Sequence, residues 1–229
     1  MTRSKSSLFS VDRGVVKAPS VLDWSKIGDS FICLVSGIVA RANRESCSSE
    51  RSLPLACFCL LPAGDLLRAE QQRQGSQYGE LIARYIREGE IVPQEITIAL
   101  LQNAIQSNLS TSDGTARVLI DGFPRKMDQA QLFDEKVCTS QFVLFLQCSE
   151  EEMLKRLLKR GETSGRTDDN AESIKKRFRT FEDTSMPVVE SYRKQGKVVE
   201  VDSMLPVEEV EKKIQEALLA KGIKPLNAQ

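Results

Sequence analysis

Residues 118–125 read Val-Leu-Ile-Asp-Gly-Phe-Pro-Arg. Val118, Leu119 and Ile120 have strand character, the strand closes on the carboxylate of Asp121, and a glycine followed by a proline-fixed turn presents Arg125. Ligands of an open α/β sheet collect beyond the carboxyl ends of its strands, which directs Asp121 and Arg125 toward a ligand crevice. A carboxylate beside a guanidinium suits a phosphate group with its magnesium ion. A buried strand ending in an ordinary turn is the plainer alternative.

Composition narrows the chemistry. The chain has 229 residues, enough for one domain with a real core or one domain and a tail. Lys+Arg and Asp+Glu stand at 32 each, so net charge gives no argument for nucleic acid or a membrane surface. Histidine is absent, which removes histidine bases, Ser-His-Asp triads and histidine metal ligands. Catalysis must rest on Lys, Arg, Asp, Glu, backbone amides or a bound ion. Six cysteines in a chain of this size do not make a secreted disulfide scaffold, and Cys57 and Cys59 are too close for ordinary zinc spacing. The apolar run Leu53 to Leu61 is too short to span a bilayer. Arg3, Lys5 and several serines before Asp12 give a faint likeness to a transit peptide.

Periodicity separates two regions. Residues 1–62 carry Cys33, Cys47, Cys57 and Cys59 and show no sustained pattern, so they are expected to be aberrant and poorly ordered. From Ala63 the chain becomes regular. A helix opens at 63–68 with Asp65 in its first turn. A second fits 76–88, with Tyr78, Leu81, Ile82, Tyr85 and Ile86 on one face and Gly89 as the stop. Pro93 starts a third. After the strand that ends at Asp121, a helix is expected near 127–136, and Phe142 to Leu146 reads as a strand covered on both faces. A helix over 150–160, a polar loop over 161–170, a long helix over 171–194 interrupted by Pro187, a strand at 198–201 and a helix over 206–220 complete the chain before a tail at 221–229. Strands alternating with helices imply an α/β fold with a parallel, doubly wound sheet.

Arg156, Arg160, Arg166 and Arg177 frame the polar loop, with Asp168 and Asp169 between them. Arg156 and Arg160 are four apart and share a helix face. A solvated charged face is the plain reading. Gly161 and Gly165 favour a mobile flap whose guanidinium groups close over an anion, as phosphoryl transfer requires.

The stretches AGDLLRAE, GSQYGELI, EGEIVPQEIT, LIDGFPRKMDQA, RLLKRGETSGRTDDN and ESIKKRF together resemble the nucleoside monophosphate kinases of the adenylate kinase-like group, most closely the fungal uridylate (UMP/CMP) kinases. The resemblance covers residues 63–220. It implies a P-loop-NTPase-like fold with a five-stranded parallel sheet, a nucleotide-binding flap near 62–92 and a lid near 157–167. It implies a kinase that moves the γ-phosphoryl group of ATP to UMP or CMP, with Mg2+, in pyrimidine nucleotide biosynthesis. By matching position, Arg68 and Arg125 bind the acceptor phosphate, and Gly122 and the backbone at Val92 line the nucleoside pocket. Asp121 holds magnesium through water, while Arg160, Arg166 and Arg177 grip the ATP phosphates and the group in flight. Arg156 lies along the ATP adenosine, and the backbone near Leu205 meets the adenine. Gln129 stands where the family reads the acceptor base. Glutamine there resembles the fungal uridylate enzymes and adenylate kinases, so UMP and CMP with some AMP are the expected acceptors. A monomer in the cytoplasm, with the nucleus as a second compartment, is also implied.

One part of the pattern is missing. A loop GxxxxGK, whose amides cradle the donor phosphates, belongs after the first strand, yet the chain contains no such string. The first strand and phosphate loop are therefore expected to be absent, which opens the alternative of a nucleotide-binding chain that transfers nothing. The genetic code suggests why. Read one nucleotide earlier, the codons open to Leu8 through Val21 can spell FVLGGPGSGKGTQC, the family's first strand and loop. Val35 and Ser36 can encode GTAAGT, a splice-donor sequence, and Leu61 to Ala63 can supply an acceptor ending in CAG. A shifted exon followed by a retained intron accounts for the first 62 residues. Sequencing the transcript tests this: the third bases of the Val15, Val16 and Lys17 codons should be G or A, A, and G respectively, and any other bases end the explanation.

Overall fold

The computed structural model describes residues 35–41, 58–111, 115–164, 166 and 168–221. The stretch 8–21 of the codon argument, Gly165 of the polar loop and the tail beyond 221 lie outside the described residues.

Five strands form one sheet: β1 (Val35–Arg41), β2 (Phe58–Pro62), β3 (Thr115–Asp121), β4 (Phe142–Gln147) and β5 (Val198–Asp202). Their spatial order is β2-β3-β1-β4-β5. β2 runs parallel to β3, with Pro62 beside Asp121, and β4 runs parallel to β5, with Gln147 beside Asp202. All four strands thus deliver their carboxyl ends to one edge of the sheet, the edge where ligands collect.

The centre departs from a uniformly parallel sheet. The place expected to lack a strand holds β1, which runs antiparallel to both neighbours: Ser36 faces Ile120 of β3, and Val35 faces Leu144 of β4. Unpaired backbone groups between two apolar strands are costly, and an antiparallel strand satisfies them as well as a parallel one. The direction has a consequence. Arg41, the carboxyl end of β1, lies beside Thr115, at the edge opposite the crevice.

The helices are α1 (Ala63–Gln72), α2 (Gly79–Glu88), α3 (Gln94–Thr111), α4 (Met127–Lys136), α5 (Glu150–Ser164), α6 (Ala171–Thr180), α7 (Met186–Lys194) and α8 (Val207–Ala220). Gly89 ends α2 in the left-handed region, at φ 70°, donating its N–H to Ile86 O, as its place after the apolar stripe predicts. β4 shows why five consecutive apolar residues mean two covered faces. Phe142, Leu144 and Leu146 pack with Leu119, Val201 and Ile214 beneath α8. Val143 and Phe145 pack with Met153, Leu157, Ile174, Val188 and Tyr192 on the other side. Val118 and Ile120 of β3 meet Ile98, Leu101, Ile105 and Phe133. The sheet is wound on both faces. A satellite cluster of Ile82, Val92 and Ile96 supports the flap formed by α1 and α2.

Two expected boundaries move. α5 continues to Ser164, so Gly161 lies in a helix and does not open the polar loop. A Cβ at Gly161 would sit 2.6 Å from the Asp169 carbonyl oxygen, so the glycine is there for close backbone approach. The long helix expected over 171–194 is interrupted just ahead of Pro187, by a π-helical turn at Phe181–Ser185. Proline removes the N–H that would bond the carbonyl four residues back and crowds that carbonyl. The wider turn answers this, with the Met186 N–H donating to Phe181 O. Among the described residues no helix is long and apolar enough to cross a membrane.

Candidate active site

β3 ends at Asp121 and the chain turns through Gly122, whose φ of +71° suits glycine. A Cβ there would stand 3.0 Å from the guanidinium of Arg125, so the absent side chain makes room for the arginine. Arg125 folds back on this turn, its Nε donating to Gly122 O at 2.8 Å. Its backbone N–H donates to Gln129 Oε1 at 2.9 Å, and Gln129 Nε2 reaches Val92 O at 3.5 Å. Gln129 is buried, and these two contacts fix which way its amide points.

An open cleft of about 630 Å³ lies over this turn. It is lined by Arg68 of α1, Val92, Gly122, Arg125, Gln129 and Arg177 of α6, together with Gly64, Thr97 and Asp168. The side chains come from segments more than a hundred residues apart in sequence. Asn170 caps α6 by accepting the Ser173 N–H at 3.0 Å, which starts the helix directly after Asp168 and Asp169 and carries Arg177 back over them.

Carboxylates hold the remaining arginines. Arg160 grips Asp169 through two bonds of 2.8 and 2.7 Å. Arg177 spans Asp168 at 3.1 Å and Asp169 at 3.3 Å. Asp65 of α1 bonds Arg68 in its own helix and Arg166 at 3.0 Å, joining the flap to the segment after α5. Burial lowers the Arg177 pKa to about 10, with the Arg125 charge adding to the effect. Burial also lowers Arg166, helped by Arg68 and Arg160. Burial works to raise the Asp169 pKa, but the Arg160 hydrogen bonds and the charges of Arg160, Arg177 and Arg166 outweigh it and leave the carboxyl below its ordinary value. Five guanidinium groups thus share this network with three carboxylates.

The structure brings together Arg68, Val92, Gly122, Arg125, Gln129 and Arg177 around one cleft, with Arg160 and Arg166 joined to it through Asp169 and Asp65. Asp121 stands at the crevice edge, one residue from the cleft lining. Arg156 and Leu205 lie elsewhere. Arg156 pairs with Glu152 at 2.9 Å and donates to Ser203 O at 3.0 Å, in the turn after β5 that contains Leu205. Asp65 was legible only as a helix-dipole residue. Its spacing of three from Arg68 is the signal that marks it as an ion-pair partner.

No group of three or more Cys, Asp or Glu able to cage a metal occurs among the described residues. One carboxylate at a strand end, Asp121, still fits magnesium, which takes one or two carboxylates along with waters and substrate phosphates.

An α/β sheet with a buried arginine cluster at its carboxyl edge defines a phosphate-handling protein of the P-loop-NTPase-like class. A family model described as adenylate kinase matches residues 50–197. The chain belongs to the adenylate kinase family, and its relatives are nucleoside monophosphate kinases, which supports a phosphotransferase. It is similar to the uridylate kinase of Saccharomyces cerevisiae, 59% identical over 161 residues that cover 70% of this chain and 78% of that protein. The UMP-CMP kinase of Lentinula edodes is 54% identical over 168 residues, covering 70% and 74%. The UMP-CMP kinase of Xenopus tropicalis is 41% identical over 195 residues, covering 84% and 98%.

The Asp169 pairing predicts a pH signature. A carboxyl whose folded pKa lies below its unfolded value of about 3.9 contributes stability above that value and loses it as pH falls through the folded pKa. Asp169→Asn should lower stability at pH 7 by about 3–5 kcal/mol, because it leaves Arg160 and Arg177 without their buried partner. In urea melts the gap from wild type should narrow toward pH 3. A gap that stays constant with pH would contradict the ionised pairing.

Proposed function

We propose that this cleft takes the phosphate and base of a pyrimidine nucleoside monophosphate, UMP or CMP with some AMP, and that the reaction is transfer of the ATP γ-phosphoryl group to it. The observation that carries the reading is the convergence of Arg68, Arg125 and Arg177, from three distant segments, on a cleft that also holds Gln129 and Val92. Arg68 and Arg125 bind the acceptor phosphate. The Gln129 amide meets the base beside the Val92 carbonyl and Gly122. Arg160, Arg166 and Arg177 leave their aspartates for the donor phosphates and the group in flight, and Arg156 with the turn at Leu205 receives the adenosine. Magnesium, when bound with ATP, supplies charge neutralisation between the phosphates, and Asp121 orients its waters. Positioning and charge stabilisation supply the catalysis, without a covalent intermediate. The kinase unit spans 63–220, with a flap at 62–92 and a lid near 157–167. It acts as a cytoplasmic or nuclear monomer in pyrimidine nucleotide synthesis.

A specific observation favours a second reading, acceptor binding without transfer. The chain contains no GxxxxGK string. Gly37, the glycine of β1, is paired with Leu119 on one side and Phe142 on the other, in the middle of the sheet and unable to form a phosphate nest. Two measurements on the purified chain separate the readings. UMP should raise the melting temperature, with a stabilisation of about 2.7 kcal/mol at a hundredfold excess over Kd. Arg125→Ala should abolish the shift. A coupled assay with UMP and MgATP then decides transfer: turnover supports the kinase, a shift without turnover supports the binding chain, and neither signal overturns both.

A further inference from the structure

We propose that Ser185, presented by the π-helical turn, is a positioning residue for Arg125. The inference rests on the reading of Arg125 as a ligand for the acceptor phosphate. Ser185 is buried, 2% exposed, and its Oγ donates to the backbone carbonyl of Arg125 at 3.1 Å, across sixty residues of sequence. On the other side of the same residue, Gln129 accepts the Arg125 N–H. Both backbone polar groups of the arginine are therefore held by side chains, one from α4 and one from the turn between α6 and α7. The Nε bond to Gly122 O then fixes how the guanidinium leaves the backbone.

The π turn is what brings the serine there. Ser185 lies eight residues beyond Arg177, and on a regular helix that spacing falls well off the face Arg177 occupies. A π turn accommodates one extra residue, so Ser185 takes the angular place of the i+7 position, which shares the face. One helical face thus carries Arg177 into the cleft and, two turns later, the hydroxyl that holds Arg125. Two internal contacts secure the turn: Thr184 Oγ1 donates to Thr180 O at 2.5 Å, and the Phe181 ring stacks on Phe145 of β4 with centroids 6.5 Å apart. Burial is the main cause of the lowered Arg177 pKa, and the like charge of Arg125 adds to it, so the two guanidinium groups repel each other. A side chain free to rotate would relieve that repulsion by swinging away. The clamp fixes the backbone from which the side chain leaves, and the Nε bond to Gly122 O holds the guanidinium at the cleft.

The test uses the full chain and two ligands, UMP and uridine, with calorimetric Kd values for wild type, Ser185→Ala and the near-isosteric Ser185→Cys, each checked for a cooperative melt. Loss of one well-placed hydrogen bond should weaken UMP about tenfold. Uridine, which has no phosphate for Arg125, should bind as before. In an Arg125→Ala background, the change at 185 should add nothing. Three results overturn the proposal: a folded variant at 185 with wild-type UMP affinity, equal weakening for UMP and uridine, or a full additive loss on top of Arg125→Ala. Failure of UMP to bind the wild-type chain is a different result. It removes the acceptor-site reading, and this inference with it.

Discussion

Guanidinium groups held close together in a half-buried cleft repel one another, and the described structure depends on how that repulsion is balanced. Asp169 and Asp168 do most of it, holding Arg160 and Arg177 at 2.7 to 3.3 Å, while Asp65 ties Arg68 to Arg166. Breaking one member of such a set leaves a buried charge without compensation, whereas an incoming phosphate dianion can take over the role of a carboxylate. In the proposed function the carboxylates are stand-ins that keep the arginines assembled between ligands. Their placement is a matter of fold. Asn170 starts α6 immediately after the two aspartates, and Gly161 lets α5 approach the Asp169 backbone closely enough for Arg160 to reach across.

The sheet sets where this balance occurs. Four parallel carboxyl ends define the edge on which Asp121, Arg125 and the turn near Leu205 sit. β1 fills the middle of the sheet but points the other way, with its carboxyl end at the edge opposite the crevice. The arginine cluster is thus assembled at that edge, and the backbone cradle that a GxxxxGK loop supplies to a donor is not encoded in the chain.

Much of this was legible in the sequence, for identifiable reasons. β4 is readable because five apolar residues in a row need two covered faces, and α2 because its apolar stripe ends on a glycine in the left-handed region. Arg68, Arg125 and Arg177 were nameable from motif position, yet only the fold brings them around one cleft. β1 was not legible: Val35–Arg41 has no alternation to mark it, and its direction is set by neighbours β3 and β4, which no local pattern encodes. The π turn was half legible. Pro187 announces an interruption, but whether a helix answers with a kink or a wider turn depends on packing, here Phe181 against Phe145. Ser185 and the bond from Asp65 to Arg166 escaped notice because the partners, Arg125 and Arg166, are distant in sequence.

The central claim is that guanidinium groups from the flap, the β3 turn and α6 converge on a single anion, with aspartates holding their places. Side-chain Nε resonances of arginine, followed by NMR while UMP is added, address it directly. The account predicts that Arg68, Arg125 and Arg177 shift together along one binding curve, and that a chain carrying Asp169→Asn begins from altered Arg160 and Arg177 positions. Movement of one arginine alone, or of none while UMP binds, would contradict it.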